Sequence, residues 1–157
     1  MAVSHDVKVG EFVVAKSPDI LKAILGSCIG FIVYDKIHKI GGLVHIFLPE
    51  RRNDEDSNDA KYANTAVPLL INEVIKQGAK KAALVGYMVG GGRILRNPKF
   101  NELPSVAEKN IIATKEAIMK SGIILLNCNV GMDNGIKVWF NLETGDLKVE
   151  HLPKLPT

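Results

Sequence analysis

A cysteine and a histidine stand seventeen positions apart, in contexts that could bring them together. Gly26-Ser27-Cys28 opens one apolar run, and His45-Ile46-Phe47-Leu48-Pro49 closes the next. If the two runs are neighbouring strands, thiol and imidazole meet at one end of a sheet. That is the minimum apparatus of a cysteine hydrolase, in which sulfur attacks a carbonyl and the imidazole moves protons. A free thiol titrates near about 8.5, so a neighbouring imidazolium is expected to hold Cys28 as thiolate at neutral pH. Gly26 and Ser27 allow a tight turn, which can expose the sulfur and aim backbone N–H groups at a developing oxyanion. Taken singly the two residues say less. A cysteine in an apolar strand is a small buried hydrophobe, and a strand-end histidine needs only a hydrogen-bond partner.

The other reactive side chains point to less chemistry. Cys128 ends a further apolar run and reads as a buried structural thiol. His5, His38 and His151 fall in terminal or turn segments and are expected to be solvated. No Cys-x-x-Cys or His-x-x-x-His spacing occurs, so no metal site is expected. Gly90-Gly91-Gly92-Arg93 could form a backbone nest for an anion, but it lacks the P-loop and Rossmann spacings. It reads as a tight turn after a strand, or as a rim at Gly91 and Gly92 along which extended peptide passes closely.

The elements that must position these groups follow from apolar patterning. Val7–Lys16 reads as one strand, Ser17–Asp19 as a turn and Ile20–Leu25 as an apolar run. Cys28–Tyr34 and Gly41–Leu48 flank a polar turn and predict an antiparallel hairpin. A polar loop follows from Pro49 to Lys61, read as solvated rather than as a lid. Asn64 or Thr65 would cap a helix ending at Gln77 with Gly78 as its stop, and Pro68 would fall in the first turn. Lys81–Met88 is a strand, Asn97–Pro104 a loop, and Ser105 with Glu108 a capping box for a helix to about Lys120. Ile123–Cys128, Lys137–Leu142 and Leu147–His151 are strands, the last two joined by the turn Glu143–Asp146. With most strands clustered at the two ends, an α+β domain spanning residues 1–157 is expected rather than a doubly wound parallel sheet.

Composition narrows the function classes. The chain has 157 residues, 46% hydrophobic and 24% charged, with a net charge of +3. That is enough to bury a core without staples. Basic residues are scattered among acids and aromatics are only 6%, so nucleic-acid binding is not expected. No apolar stretch reaches the roughly 20 residues of a membrane span, and the first ten residues lack the apolar centre of a secretion signal. A cytoplasmic location with two free thiols is therefore expected.

Several segments together resemble the CheD family, the chemoreceptor glutamine deamidases of bacterial and archaeal chemotaxis. They are Gly26-Ser27-Cys28, His45-Ile46-Phe47-Leu48-Pro49, Lys61-Tyr62-Ala63-Asn64-Thr65-Ala66, Val9-Gly10-Glu11, Gly90-Gly91-Gly92, Glu108-Lys109-Asn110 and Asn141-Leu142-Glu143-Thr144-Gly145. The resemblance runs from Val7 to Val149. It implies a layered β-sandwich with flanking helices, similar to the catalytic domain of cytotoxic necrotizing factor toxins. It implies hydrolysis of glutamine side chains on methyl-accepting receptors, with Cys28 as nucleophile, His45 as base, and no cofactor. A receptor methyl ester could be cleaved by the same route. It also implies binding to a CheC-type phosphatase, so a mainly regulatory, weakly catalytic protein is the alternative. Where the family usually has a threonine that helps orient the histidine, this chain has Lys22. Its side chain offers an imidazole N–H no acceptor, which leaves the carbonyl of residue 22 as the expected partner. Arg93 and the segment Gly131–Ile136 also depart from the family pattern.

Overall fold

A computed structural model describes residues 1–51, 57–92 and 105–153. Nine strands and two helices follow in chain order among them: β1 (Ser4–Asp6), β2 (Phe12–Lys16), β3 (Ile20–Leu25), β4 (Ile29–Asp35), β5 (Ile40–Ile46), α1 (Ala63–Lys76), β6 (Leu84–Gly90), α2 (Val106–Ser121), β7 (Ile124–Val130), β8 (Ile136–Asn141) and β9 (Leu147–His151). They build two sheets, ordered β1-β3-β8-β9 and β2-β5-β4-β6-β7. The expected α+β architecture, a layered sandwich with helices on one side, is what the chain adopts.

Alternation along the central strands explains the layers. Successive side chains of β4 point to opposite faces, and all seven of its residues are buried. Ile29, Phe31 and Val33 face one core with Val44 and Ile46 of β5, Leu70 and Val74 of α1 and Ile118 of α2. Cys28, Ile32 and Tyr34 face a second core with Leu21 and Leu25 of β3 and Val138 and Phe140 of β8. The five-stranded sheet is thus covered by helices on one face and by the smaller sheet on the other. Tyr34 tightens the second core by donating its hydroxyl to the Leu142 carbonyl, 2.7 Å away.

Three sequence expectations are corrected. The run Val7–Lys16 is not one strand. The Glu11 N–H donates to the Lys8 carbonyl, the Lys8 N–H donates to the Glu11 carboxylate, and Gly10 takes φ +75°. These bonds turn the chain out of the smaller sheet, where β1 lies, and into the larger one. Helix α1 starts earlier, at Ala63, with no side-chain cap. The Thr65 hydroxyl donates back to the carbonyls of Asp59 and Tyr62 instead, and Pro68 falls in the second turn of the helix. Cys128 is exposed, because β7 is an edge strand and its residues Ile124, Leu126 and Cys128 face outward.

The other elements follow the pattern, except that a 3-10 turn at Lys81–Ala83 replaces the start of the expected strand 81–88 and Gly90 ends β6 instead of opening the turn. The hairpin β4–β5 is antiparallel, with Gly30 opposite His45. The N–H of Glu108 donates to the Ser105 hydroxyl at the head of α2, 3.1 Å away. Gly122 ends that helix in the left-handed conformation. His5 and His38 are not merely solvated. The first pairs with Asp19 at 2.9 Å and the second with Asp35 at 2.8 Å. Arg93 and the loop at 97–104 lie outside the described residues, as does the centre of the polar loop after Pro49.

Candidate active site

The hairpin register settles which face Cys28 and His45 share. His45 sits opposite Gly30, and Cys28 is two residues before Gly30, so both side chains project from the same face of the larger sheet. That face looks into the core between the two sheets. His45 is 4% exposed and Cys28 7%. Thiol and imidazole are therefore diagonal neighbours across a strand pair, shielded from water. No hydrogen bond joins them among the described residues, a looseness ordinary for catalytic groups before substrate arrives.

The turn before β4 is held by its carbonyls. The Gly92 N–H donates to the Gly26 carbonyl and the Gly91 N–H to the Cys28 carbonyl, each at 2.8 Å. The side-chain amide of Asn110, on α2, donates to the Ser27 carbonyl at 3.2 Å. All three carbonyls of Gly26-Ser27-Cys28 are thus engaged by the two glycines that follow β6 and by α2. The N–H groups of Ser27 and Cys28 donate to no carbonyl among the described residues. The close approach also explains Gly90, where a Cβ would overlap the Cys28 carbonyl oxygen. Gly91 and Gly92 accordingly clasp the Gly26-Ser27-Cys28 turn. Their N–H groups are spent there, and an anion nest built on them is excluded.

His45 is held from the other direction. Its backbone pairs with the N-terminal segment, the Gly10 N–H donating to the His45 carbonyl and the His45 N–H to the Glu11 carbonyl. Its ring Nδ1 lies 3.0 Å from the Val7 carbonyl oxygen. A carbonyl can only accept, so Nδ1 carries the proton and Nε2 keeps its lone pair. The Val7 N–H in turn donates to the Lys22 carbonyl at 2.8 Å. The expectation that the carbonyl of residue 22 holds the imidazole is thus corrected: that carbonyl accepts from the Val7 N–H, and Val7 supplies the acceptor for His45. Leu21, Ala23 and Leu25 are buried in the inner core while Lys22 alternates to the outer face of the small sheet. Val7 was outside the sequence reading because a backbone acceptor leaves no mark in residue types.

Electrostatics favours the uncharged forms of both groups. Burial pushes the Cys28 thiol above its ordinary value. Burial also pushes His45 down, against the Val7 hydrogen bond and the more distant charges of Glu11 and Asp6, which pull it up. The expected thiolate–imidazolium pair is thus disfavoured in the free protein. What the arrangement offers is a neutral thiol beside a neutral base, with the proton moving as sulfur attacks.

Asn110 was visible in the sequence only as part of a motif. It is fully buried on the inward stripe Ala107, Asn110, Thr114 and Ile118 of α2. Its amide nitrogen bridges Ser27 and Phe47, donating to the second carbonyl at 3.1 Å. Its Oδ1 and the Thr114 hydroxyl have no partner among the described residues. Each such group carries a penalty of about 1–3 kcal/mol.

A buried thiol on a glycine-serine turn and a carbonyl-tethered histidine share one face of a two-sheet α+β fold, and these are the groups that a cysteine hydrolase needs. The comparisons narrow the class. A family model described as "CheD chemotactic sensory transduction" matches residues 47–151. A "Probable chemoreceptor glutamine deamidase CheD" of Methanococcus maripaludis is 39% identical over 151 residues, covering 96% of this chain and 97% of its own. Proteins of the same name from Caldanaerobacter subterraneus subsp. tengcongensis and Pyrococcus abyssi are 39% and 37% identical. They cover 87% and 91% of this chain, and 86% and 88% of their own. The chain belongs to the CheD family. Among solved structures, a Bacillus licheniformis hypothetical protein YfiH aligns with 81% of this chain and 58% of its own. Its TM-score is 0.47 at 12% identity, too low to bear on function. No helix among the described residues is long and apolar enough to cross a membrane.

Proposed function

We propose that this protein deamidates glutamine side chains of chemotaxis receptors to glutamate, acting as one domain through Cys28 and His45. The observation that carries the reading is the shared buried face, with His45 tethered at Nδ1 so that Nε2 is the basic nitrogen. The names of the relatives supply the substrate class. Cys28 Sγ attacks the carboxamide carbon as its proton passes to His45 Nε2. The N–H groups of Ser27 and Cys28, left over when the turn's carbonyls are engaged, face the developing oxyanion. The imidazolium returns its proton to the departing nitrogen, and ammonia leaves a thioester. Water, deprotonated by His45, then attacks that thioester, and glutamate and the thiol are released.

Mass spectrometry of a co-expressed receptor fragment tests this directly. Wild type converts specific glutamines to glutamate. Cys28→Ala loses at least ~10³-fold of the rate, as nucleophile deletions do, while Cys128→Ala retains it. Deamidation by Cys28→Ala, or loss of activity in Cys128→Ala alone, would overturn the assignment. Binding to a CheC-type phosphatase is the companion proposal, carried by the family alone. A wild type that binds such a partner tightly yet deamidates nothing would leave a regulator in place of the enzyme.

A further inference from the structure

We propose that Asn110 is a positioning residue that sets the separation of the nucleophile turn from the histidine strand. This inference rests on the assignment of Cys28 and His45 as the reacting pair.

The geometry is a staple. One amide nitrogen donates to the Ser27 carbonyl, immediately before Cys28, and to the Phe47 carbonyl, two residues after His45. These segments lie outside the ladder that pairs β4 with β5, whose last register pair is Ile29 with Ile46. No other described hydrogen bond runs between residues 26–28 and residues 47–48. The orientation of the amide follows from its surroundings. Turned over, Oδ1 would face two carbonyl oxygens, so the nitrogen must occupy that side. Both of its hydrogens are then used, while Oδ1 remains buried without a partner. A buried amide that is half unsatisfied is a poor choice for packing alone. What it provides that a leucine would not is the pair of donors joining the two arms of the site. Its own place is fixed by α2, whose start is capped by Ser105 and whose next residue, Ile111, packs against the clasp glycine Gly91.

The consequence is separable from stability. Without the staple, the remaining hydrogen bonds to the turn's carbonyls among the described residues are those at Gly26 and Cys28. The thiol then becomes easier to reach and harder to align. The test measures receptor-fragment deamidation together with iodoacetamide labelling of Cys28, using the exposed Cys128 as internal reference. Asn110→Leu keeps volume and removes both donors. Asn110→Ser keeps one donor, in case the leucine variant does not fold. Thr114→Val removes the neighbouring partnerless hydroxyl and controls for changes within the stripe. Asn110→Leu is expected to lower kcat by on the order of 10²-fold with KM little changed, while Cys28 labelling rises severalfold relative to Cys128. Asn110→Ser should fall between it and wild type, and Thr114→Val should match wild type in both readouts. A folded Asn110→Leu, or Asn110→Ser in its place, with wild-type kcat and wild-type labelling overturns the proposal and leaves the deamidase reading intact. Equal effects from Thr114→Val overturn it as well, by making the change one of packing. If wild type deamidates nothing, the reading of the reaction falls, and the labelling ratio alone still decides whether Asn110 holds the turn.

Discussion

Burial acts on Cys28 and His45 in a way that bears on the pH dependence of the proposed reaction. The thiol is raised and the imidazole lowered, both because the charged forms are poorly solvated between the sheets. Burial therefore favours the uncharged form of both at neutral pH, which leaves the His45 Nε2 lone pair for the base role of the proposed mechanism. Activity governed by kcat/KM should therefore appear as pH rises through a value below the ordinary histidine figure of about 6.5. It should then hold level through neutrality, since the thiol still carries its proton there. An ion-pair mechanism behaves differently, because activity falls again as the imidazolium deprotonates. A pH–rate profile of wild type on a receptor fragment separates them: a plateau from pH 7 to 8.5 fits the neutral pair, and a bell centred near 6 refutes it. Lys22 does not alter this expectation, since its side chain lies on the other face of its sheet.

Among the elements, the β4–β5 hairpin is the one on which the site depends, and Asp35 closes it. The carboxylate is wholly buried. It accepts N–H bonds from Ile37, His38 and Lys80 at 2.9, 3.0 and 2.9 Å, and meets the His38 ring at 2.8 Å. Burial opposes its ionisation, but the His38 and Lys80 N–H groups, the His38 ring and the Ile37 N–H outweigh that and hold it below the usual carboxylate range. Asp35→Ala leaves those N–H groups without an acceptor and should cost about 3 kcal/mol. The carboxyl is depressed in the folded state. Its contribution is therefore complete above the unfolded value of about 3.9 and lost as pH falls through the lower folded value. Urea unfolding of both proteins from pH 7 to 3 should show the gap narrowing below pH 4. A gap that stays constant would mean that the carboxylate's charge contributes nothing.

The same hairpin shows why much of the fold is legible in the sequence. Two apolar runs separated by Asp35–Lys39 have one reasonable pairing, and the alternation then places Cys28 and His45 on one face. Helix α2 declares its start through Ser105 and Glu108. The departures involve backbone rather than side chains. The turn at Lys8–Glu11 interrupts a run of strand-forming residues, and only Gly10 hints at it. The Val7 carbonyl and the N–H groups of Gly91 and Gly92 belong to no residue type. Exposure of Cys128 depends on β7 being an edge, which strand order decides and local pattern does not.

At the scale of the molecule, Cys28 and His45 lie between two sheets, whereas Cys128 lies on an edge strand. Strand β7 ends the larger sheet, with Ile124 and Leu126 exposed beside Cys128. The two thiols should therefore part ways under oxidation. Mild diamide treatment should give a disulfide-linked dimer through Cys128 in wild type and in Cys28→Ala, read on a non-reducing gel, and none in Cys128→Ser. Dimers persisting in Cys128→Ser would show that Cys28 is far more open than its place between the sheets allows.

The bond from His45 to the Val7 carbonyl has a genetic consequence. Every codon at position 7 encodes that same oxygen, so no missense change there can delete it. Selection can reach it only by moving the strand that carries it. A scan that scores side chains one at a time would count Val7 as packing and pass over its hydrogen bond to the imidazole. Under the proposed mechanism, a shift of the first strand on β3 would misplace that oxygen, and the changes causing it would map to residues 3–6 or 19–22, far along the chain from the histidine.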